Sequence, residues 1–237
     1  MILLSISVID LQSLTNKCVE ILNSLDLLVN TEKSVCLRIG SRFRAECKGI
    51  MVNDFSLTGA NEAKYLGVVL KTGVKFACNL HPSKCLFFKS VNSIMSVLGG
   101  NPSIKVALSL FRSKCIPVLT YGLAVIPLSK ADLQSLSFAY NNIFSKLFNT
   151  NNRDTIEKCK FFCGFWPLSV LVDYLKLSFI LSMHKVNDLN RNNVLHVSVA
   201  DDVDSMMKKY ELDEKDSIQC IKFKLWKQIE HSIVIDV

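Results

Sequence analysis

The spacing of apolar and polar residues changes twice along this chain of 237 residues. Residues 2–8 (ILLSISV) are almost continuously apolar and rich in Ile, Leu and Val, as a strand covered on both faces would be. From Asp10 the apolar positions Leu11, Leu14, Cys18, Ile21, Leu22 and Leu25 recur at helical spacing, with Asp10 placed to cap the helix. The two together predict a strand followed by a crossing helix. SVCLRIG (34–40) alternates apolar and polar positions, which predicts a half-buried strand. AKYLGVVLK (63–71) predicts another, with Gly73 as the turn beyond it.

After His81-Pro82 the period becomes helical and stays so. A basic helix is predicted from Ser83 to Leu98, stopping at Gly99-Gly100. Asn101-Pro102 opens the next, with Asn as cap and Pro in the first turn, and Pro117 kinks or ends it. Ser129-Lys130-Ala131-Asp132 has the spacing of a capping box with Asp in the Glu position, opening a helix that runs to about Phe148. Further helices are predicted at 153–163 and 168–187. Asn187 to Asn193 is a polar loop, and the last helix or two are expected to be more acidic. The order of elements predicts an α+β fold: a small α/β unit over 1–80, then helices over 81–150 and 151–237.

Composition adds one question. Nearly half of the residues are apolar, and a mean hydropathy of +0.28 calls for either a membrane segment or a large buried surface. The longest apolar stretch, 161–183, carries Asp173 and Lys176, each costing about 2.5–3.5 kcal/mol near a bilayer centre. A buried helix is the better reading, and no membrane partner is expected. MILLSISVI is too short to span a bilayer and has no basic flank, so no targeting segment is expected. The nine cysteines are odd in number and mostly lie singly in apolar runs, which suits free thiols in a reducing compartment. An intracellular location, cytoplasmic or nuclear rather than secreted, follows as an expectation.

Charge is unevenly placed. From Lys33 to Lys114, thirteen basic residues face only Glu46, Asp54 and Glu62, whereas from Asn151 onward twelve basic residues meet thirteen acidic ones. The positive field of the first half suits a polyanion such as nucleic acid. Candidate chemistry is sparse. There is no Gly-rich phosphate loop, no nucleophile elbow and no two-His metal motif. His81, His184, His196 and His231 are far apart, and Cys159 and Cys163 have no second pair to complete a zinc site. No catalytic residue and no metal ligand is assigned.

Read in order, several segments resemble one family. LDLLVNTEKSVCLRIG (25–40) resembles the palm motif of reverse transcriptases of non-long-terminal-repeat (LINE-type) retrotransposons, with Leu27, Asn30, Lys33 and Ser34 at the matching positions. AKYLGVVL (63–70) is similar to their primer-grip hairpin, in which Tyr-Leu-Gly precedes a short strand. NSIMSVLGGNPSIKVALSLFRSKCIPVLTYG (92–122) is similar to their thumb, although Leu123 and Ala124 stand where the family often has Glu and an aromatic. CKFFCGFWPLSVLVDYLKLSFI (159–180) resembles helices beyond that thumb.

The resemblance implies the C-terminal part of a palm over 1–80, a thumb over 81–150 and a helical extension over 151–237. It implies Lys33 near a nucleotide's phosphates and Tyr65, Leu66 and Gly67 against a primer end. It also suggests that Lys64, Lys71, Lys84, Lys89, Lys105, Arg112 and Lys114 track phosphates, with Lys105 and Arg112 on one helix face. The family's catalytic Tyr-x-Asp-Asp precedes a strand like MILLS, so the Asp pair would fall before Met1. The Mg2+ used by such enzymes therefore has no carboxylates assigned in this chain, and no cofactor is expected. The expected role is that of a reverse-transcriptase fragment that does not polymerise and binds RNA, DNA or an RNA–DNA hybrid. The alternative is a non-enzymatic helical protein-interaction module. An unpaired edge of the strand at 2–8 is also expected to favour self-association. Ala200-Asp201-Asp202 is not a substitute for the missing pair: with Asp204 it follows a polar loop and is expected to cap a helix running to Lys209.

Overall fold

A computed structural model describes residues 1–45, 48–57, 59–99, 103–186, 205–213 and 216–234. The fold is α+β, with two small antiparallel sheets and a mostly helical remainder. The chain divides into two compact units, Met1–Asn79 and Leu80–Val237.

The first unit opens differently from its sequence pattern. Residues 2–8 form no strand, and Ile2, Leu4 and Ile6 are exposed. An apolar run becomes a buried strand only beside partners, and no described strand pairs with it. The expected strand edge for self-association is therefore not formed. Helix α1 (Val8–Ser24) starts earlier than predicted, because the cap is Ser7, whose hydroxyl accepts from the Asp10 amide. Asp10 instead lies in the first turn, where its charge meets the positive end of the helix dipole.

Segment 34–40 is likewise not a strand. It makes two isolated parallel bridges, Cys36 to Gly59 and Ile39 to Gly73. The first sheet is an unpredicted hairpin of β1 (Ile50–Val52) and β2 (Phe55–Leu57), joined by Asn53 and Asp54 at φ 44° and 55°. Asn and Asp tolerate this left-handed backbone, which is why they close two-residue hairpins. The predicted strand at 63–71 is in fact another hairpin, β3 (Glu62–Tyr65) and β4 (Val68–Lys71), extended by β5 (Ala77–Asn79) in the order β3-β4-β5. Gly73 bridges to Ile39 just past β4. Ile50, Val52 and Thr15 are the buried side chains of this unit among the described residues.

The second unit is helical. Helix α2 (His81–Leu98) begins with Pro82 in its first turn and ends at Gly99, whose φ of 73° needs no Cβ. The expected cap Asn101 lies outside the described residues. Helix α3 (Ile104–Leu110) does not stop at Pro117. It passes through a π-helical turn, Phe111–Cys115, into α4 (Ile116–Thr120). The Ile116 amide donates to the Phe111 carbonyl, five residues back, and this wider turn accommodates a proline that has no amide to give. The same widening keeps Ala107, Phe111, Cys115 and Leu119, each four apart, on one fully buried stripe.

Helix α5 (Lys130–Phe148) starts with the predicted capping box. The Ser129 hydroxyl accepts from the Asp132 amide and the Asp132 carboxylate accepts from the Ser129 amide, both at 3.1 Å. Ser129→Ala is expected to cost about 1 kcal/mol in urea unfolding, with Ser129→Gly costing only a few tenths. Helices α6 (Arg153–Phe162) and α7 (Leu168–Val186) match the expected positions. Asn152 caps α6 through bonds from the Asp154 and Thr155 amides.

The polar loop at 187–193 and the acids Asp201, Asp202 and Asp204 lie outside the described residues. A short helix α8 (205–209) and α9 (Ile218–Val234) follow. Over their described residues they are basic, in place of the acidic helices expected: α8 carries Lys208 and Lys209, and α9 has Lys222, Lys224 and Lys227 against Glu230. Glu211, Asp213, Glu214 and Asp216 lie between them in sequence, and Asp201, Asp202 and Asp204 come before residue 205. Leu177 of α7 packs with Met206, Tyr210, Leu212, Ile221 and Leu225 to form a core at this end of the unit. Among the described residues no helix is long and apolar enough to cross a membrane.

Candidate functional site

In the first unit, the residues that carry the palm resemblance form a self-closed turn. Asn30 Oδ1 accepts from the Lys33 amide at 3.0 Å, and Ser34 Oγ donates to the Asn30 carbonyl at 2.7 Å. Asn is suited to this because its side chain imitates a backbone turn. The Asn-x-x-Lys-Ser spacing thus has a local structural cause, and it leaves Lys33 exposed at the turn.

Tyr65, Leu66 and Gly67 sit at the tip of the β3–β4 hairpin. Leu66 and Gly67 have φ of 46° and 84°, the left-handed pair that a two-residue turn between twisted strands requires. Gly67 meets this freely, while Leu66 holds an uncommon backbone and is exposed. Tyr65 pairs with Val68 and is half-buried. On one face of this sheet Lys71 Nζ lies 3.6 Å from Glu62 Oε1, and the Asn79 amide also donates to Glu62. Lys64 shares that face by alternation and is exposed.

In the second unit the predicted phosphate-tracking residues separate into two groups. Lys84 donates to Ser135 Oγ of α5 at 2.7 Å. Arg112 spans from the π turn to the end of α6, donating to the Cys163 and Gly164 carbonyls at 3.1 and 3.0 Å with its guanidinium 4.4 Å over the Phe165 ring. Both tie helices together. Lys89, Lys105 and Lys114 are exposed and have no partner among the described residues. Lys105 lies on α3, whereas Arg112 is the second residue of the π turn and its guanidinium is held at the end of α6.

One polar network went unnoticed in the sequence. Lys160 is 1% exposed, and its ammonium donates to Glu157 at 2.5 Å and to Asn141 at 2.8 Å, with the Tyr140 ring 5.6 Å away. Tyr140 in turn donates to the Trp166 carbonyl. Burial pushes the Lys160 ammonium below the ordinary lysine range, against the bond and charge of Glu157, which raise it. Burial also pushes the Tyr140 hydroxyl up, with the Glu157 charge adding to it. Each donor of this network is used inside the fold, so its role is to join α5 to α6. The Asp173 carboxylate is similarly satisfied, accepting from Lys209 at 2.8 Å and Tyr210 at 2.7 Å.

The thiols of Cys115 and Cys163 are both pushed up by burial, Cys115 to about 11, which keeps them protonated and unreactive. Among the described residues no group of three or more His, Cys, Asp or Glu side chains gathers as a metal ion requires. What the described residues offer is a set of exposed cations, Lys33 and Lys64 in one unit and Lys89, Lys105 and Lys114 in the other. Comparison of the chain with protein-family models, with curated proteins and with solved structures gives no match.

Proposed function

We propose that the chain is a fragment of a LINE-type reverse transcriptase that binds RNA, DNA or an RNA–DNA hybrid through phosphate contacts and performs no polymerisation by itself. The observation that carries this is the excess of thirteen basic over three acidic residues between Lys33 and Lys114, several of them exposed and unpaired. Such cations release counterions from a nucleic-acid backbone, which supplies affinity without base recognition. The order of the Asn-x-x-Lys-Ser turn, the Tyr-Leu-Gly hairpin and the basic helices supports the parentage.

The rival, a helical protein-interaction module, is favoured by the exposed apolar residues of α1, among them Ile9, Leu14 and Ile21. A labelled RNA–DNA hybrid titrated with the full chain separates the two. Reversing Lys89, Lys105 and Lys114 to Glu together is expected to weaken hybrid binding at least tenfold while leaving helix content unchanged, since all three are exposed. Equal binding by chain and variant would count against the proposal.

A further inference from the structure

Helices α6 and α9 present a face that the basic first half of the sequence does not announce. Phe161 of α6 and Trp226 of α9 stack with ring centroids 4.9 Å apart and planes 15° from parallel. Phe162 extends this pair edge-on, 5.6 Å from Phe161, and is 81% exposed. One turn before Trp226, Phe223 is 59% exposed with the Lys227 ammonium 5.2 Å from its ring centre. Lys222 and Lys227 are exposed beside these rings, while Lys224 turns to Asp216, whose carboxyl it and the Asp213 amide hold down at about 2. Glu230, past Lys227, is the acid of this helix.

Exposed aromatic rings interleaved with lysines that make no ion pair among the described residues match one kind of ligand. Every base has a π-face that stacks on an aromatic ring whatever its identity, and the strand that joins the bases carries phosphates for the ammonium groups. A protein partner is the poorer fit, because lysine is depleted from the cores of protein–protein interfaces. The Phe161–Trp226 stack also holds the platform in place before any ligand arrives, which lowers the entropic cost of binding. We infer that the α6–α9 face binds single-stranded nucleic acid, with bases stacking on Phe162 and Phe223 and phosphates meeting Lys222 and Lys227. The residues of this surface are other than the cations named at 33–114, and the inference does not rest on the reading proposed for them.

The test uses the full chain with labelled oligouridine and oligothymidine, followed by anisotropy. Trp226 fluorescence is followed in parallel in a Trp166→Phe background. Phe162→Ala and Phe223→Ala are each expected to weaken both oligonucleotides by about 5- to 100-fold. Both rings are exposed, so far-UV circular dichroism should not change. Lys222→Glu with Lys227→Glu should flatten the salt dependence, and Trp226 emission should respond to binding. The Lys89, Lys105 and Lys114 reversal should leave single-strand binding in place. Four results overturn the inference: no binding of either oligonucleotide, wild-type affinity in both Phe variants, loss of binding only in the Lys89, Lys105 and Lys114 variant, or displacement by a Glu-rich peptide as readily as by oligouridine. The third of these leaves the hybrid-binding proposal standing.

Discussion

Phe144→Ala is expected to cost the helical unit about 3–5 kcal/mol, the range for removing a fully enclosed aromatic ring. Phe144 has no exposed surface and meets Tyr140 and Phe165 edge-on at 5.5 and 5.1 Å. Arg112 in turn lies over Phe165, so the cavity would open beneath the contact that ties the π turn to the end of α6. Tyr140 is fixed in α5 and Phe165 is held under Arg112, so neither ring can readily collapse into the space, which places the cost at the cavity-forming end. Urea unfolding followed by the fluorescence of Trp166 and Trp226, both in this unit, measures it. A loss under about 1 kcal/mol would show that Phe144 is not at a packed centre.

The second large effect is expected from Glu157→Ala, about 2–4 kcal/mol at neutral pH. Removing one partner of a buried ion pair typically costs 3–5 kcal/mol, and the figure is reduced because Glu157 is 33% exposed. The variant leaves Lys160 buried with Asn141 as its remaining hydrogen-bond acceptor. The sign of the pH dependence follows from the lowered Lys160 value. The folded state binds the proton less readily than the unfolded chain, whose lysine has the ordinary value of 10.5. The penalty is therefore complete below the folded value and disappears as pH rises past the unfolded one. Without Glu157 that penalty grows, so the deficit of the variant should shrink between about pH 7 and about pH 10. Urea midpoints at both values check this, and a deficit that does not change with pH contradicts it.

Local chemistry made much of the helical half legible. The Ser129–Asp132 box, Gly99 after Leu98 and the periodicity of 153–163 and 168–187 each name an end or a face without reference to distant residues. The first unit was harder, because an apolar run such as 2–8 is compatible with a buried strand only if partners exist, and period alone does not supply them. Its clearest local signal, Asn53-Asp54 between two short β-prone runs, marks the β1–β2 hairpin. At the candidate surface, lysines and Arg112 are legible as charges, but their availability is not. Arg112 is engaged by carbonyls more than fifty residues further on, and Lys84 by Ser135, contacts that only the folded chain creates. The alternation KFKLWK (222–227) held a signal of rings among lysines that the net charge of the region concealed.

The central claim, that exposed cations of this chain hold nucleic-acid phosphates, is tested most directly by the salt dependence of its affinity for an RNA–DNA hybrid. If about four phosphates are neutralised, raising salt from about 50 to about 200 mM should weaken binding about a hundredfold, and the triple reversal of Lys89, Lys105 and Lys114 should reduce that slope. Binding that is absent, or that stays level across this range, contradicts the account.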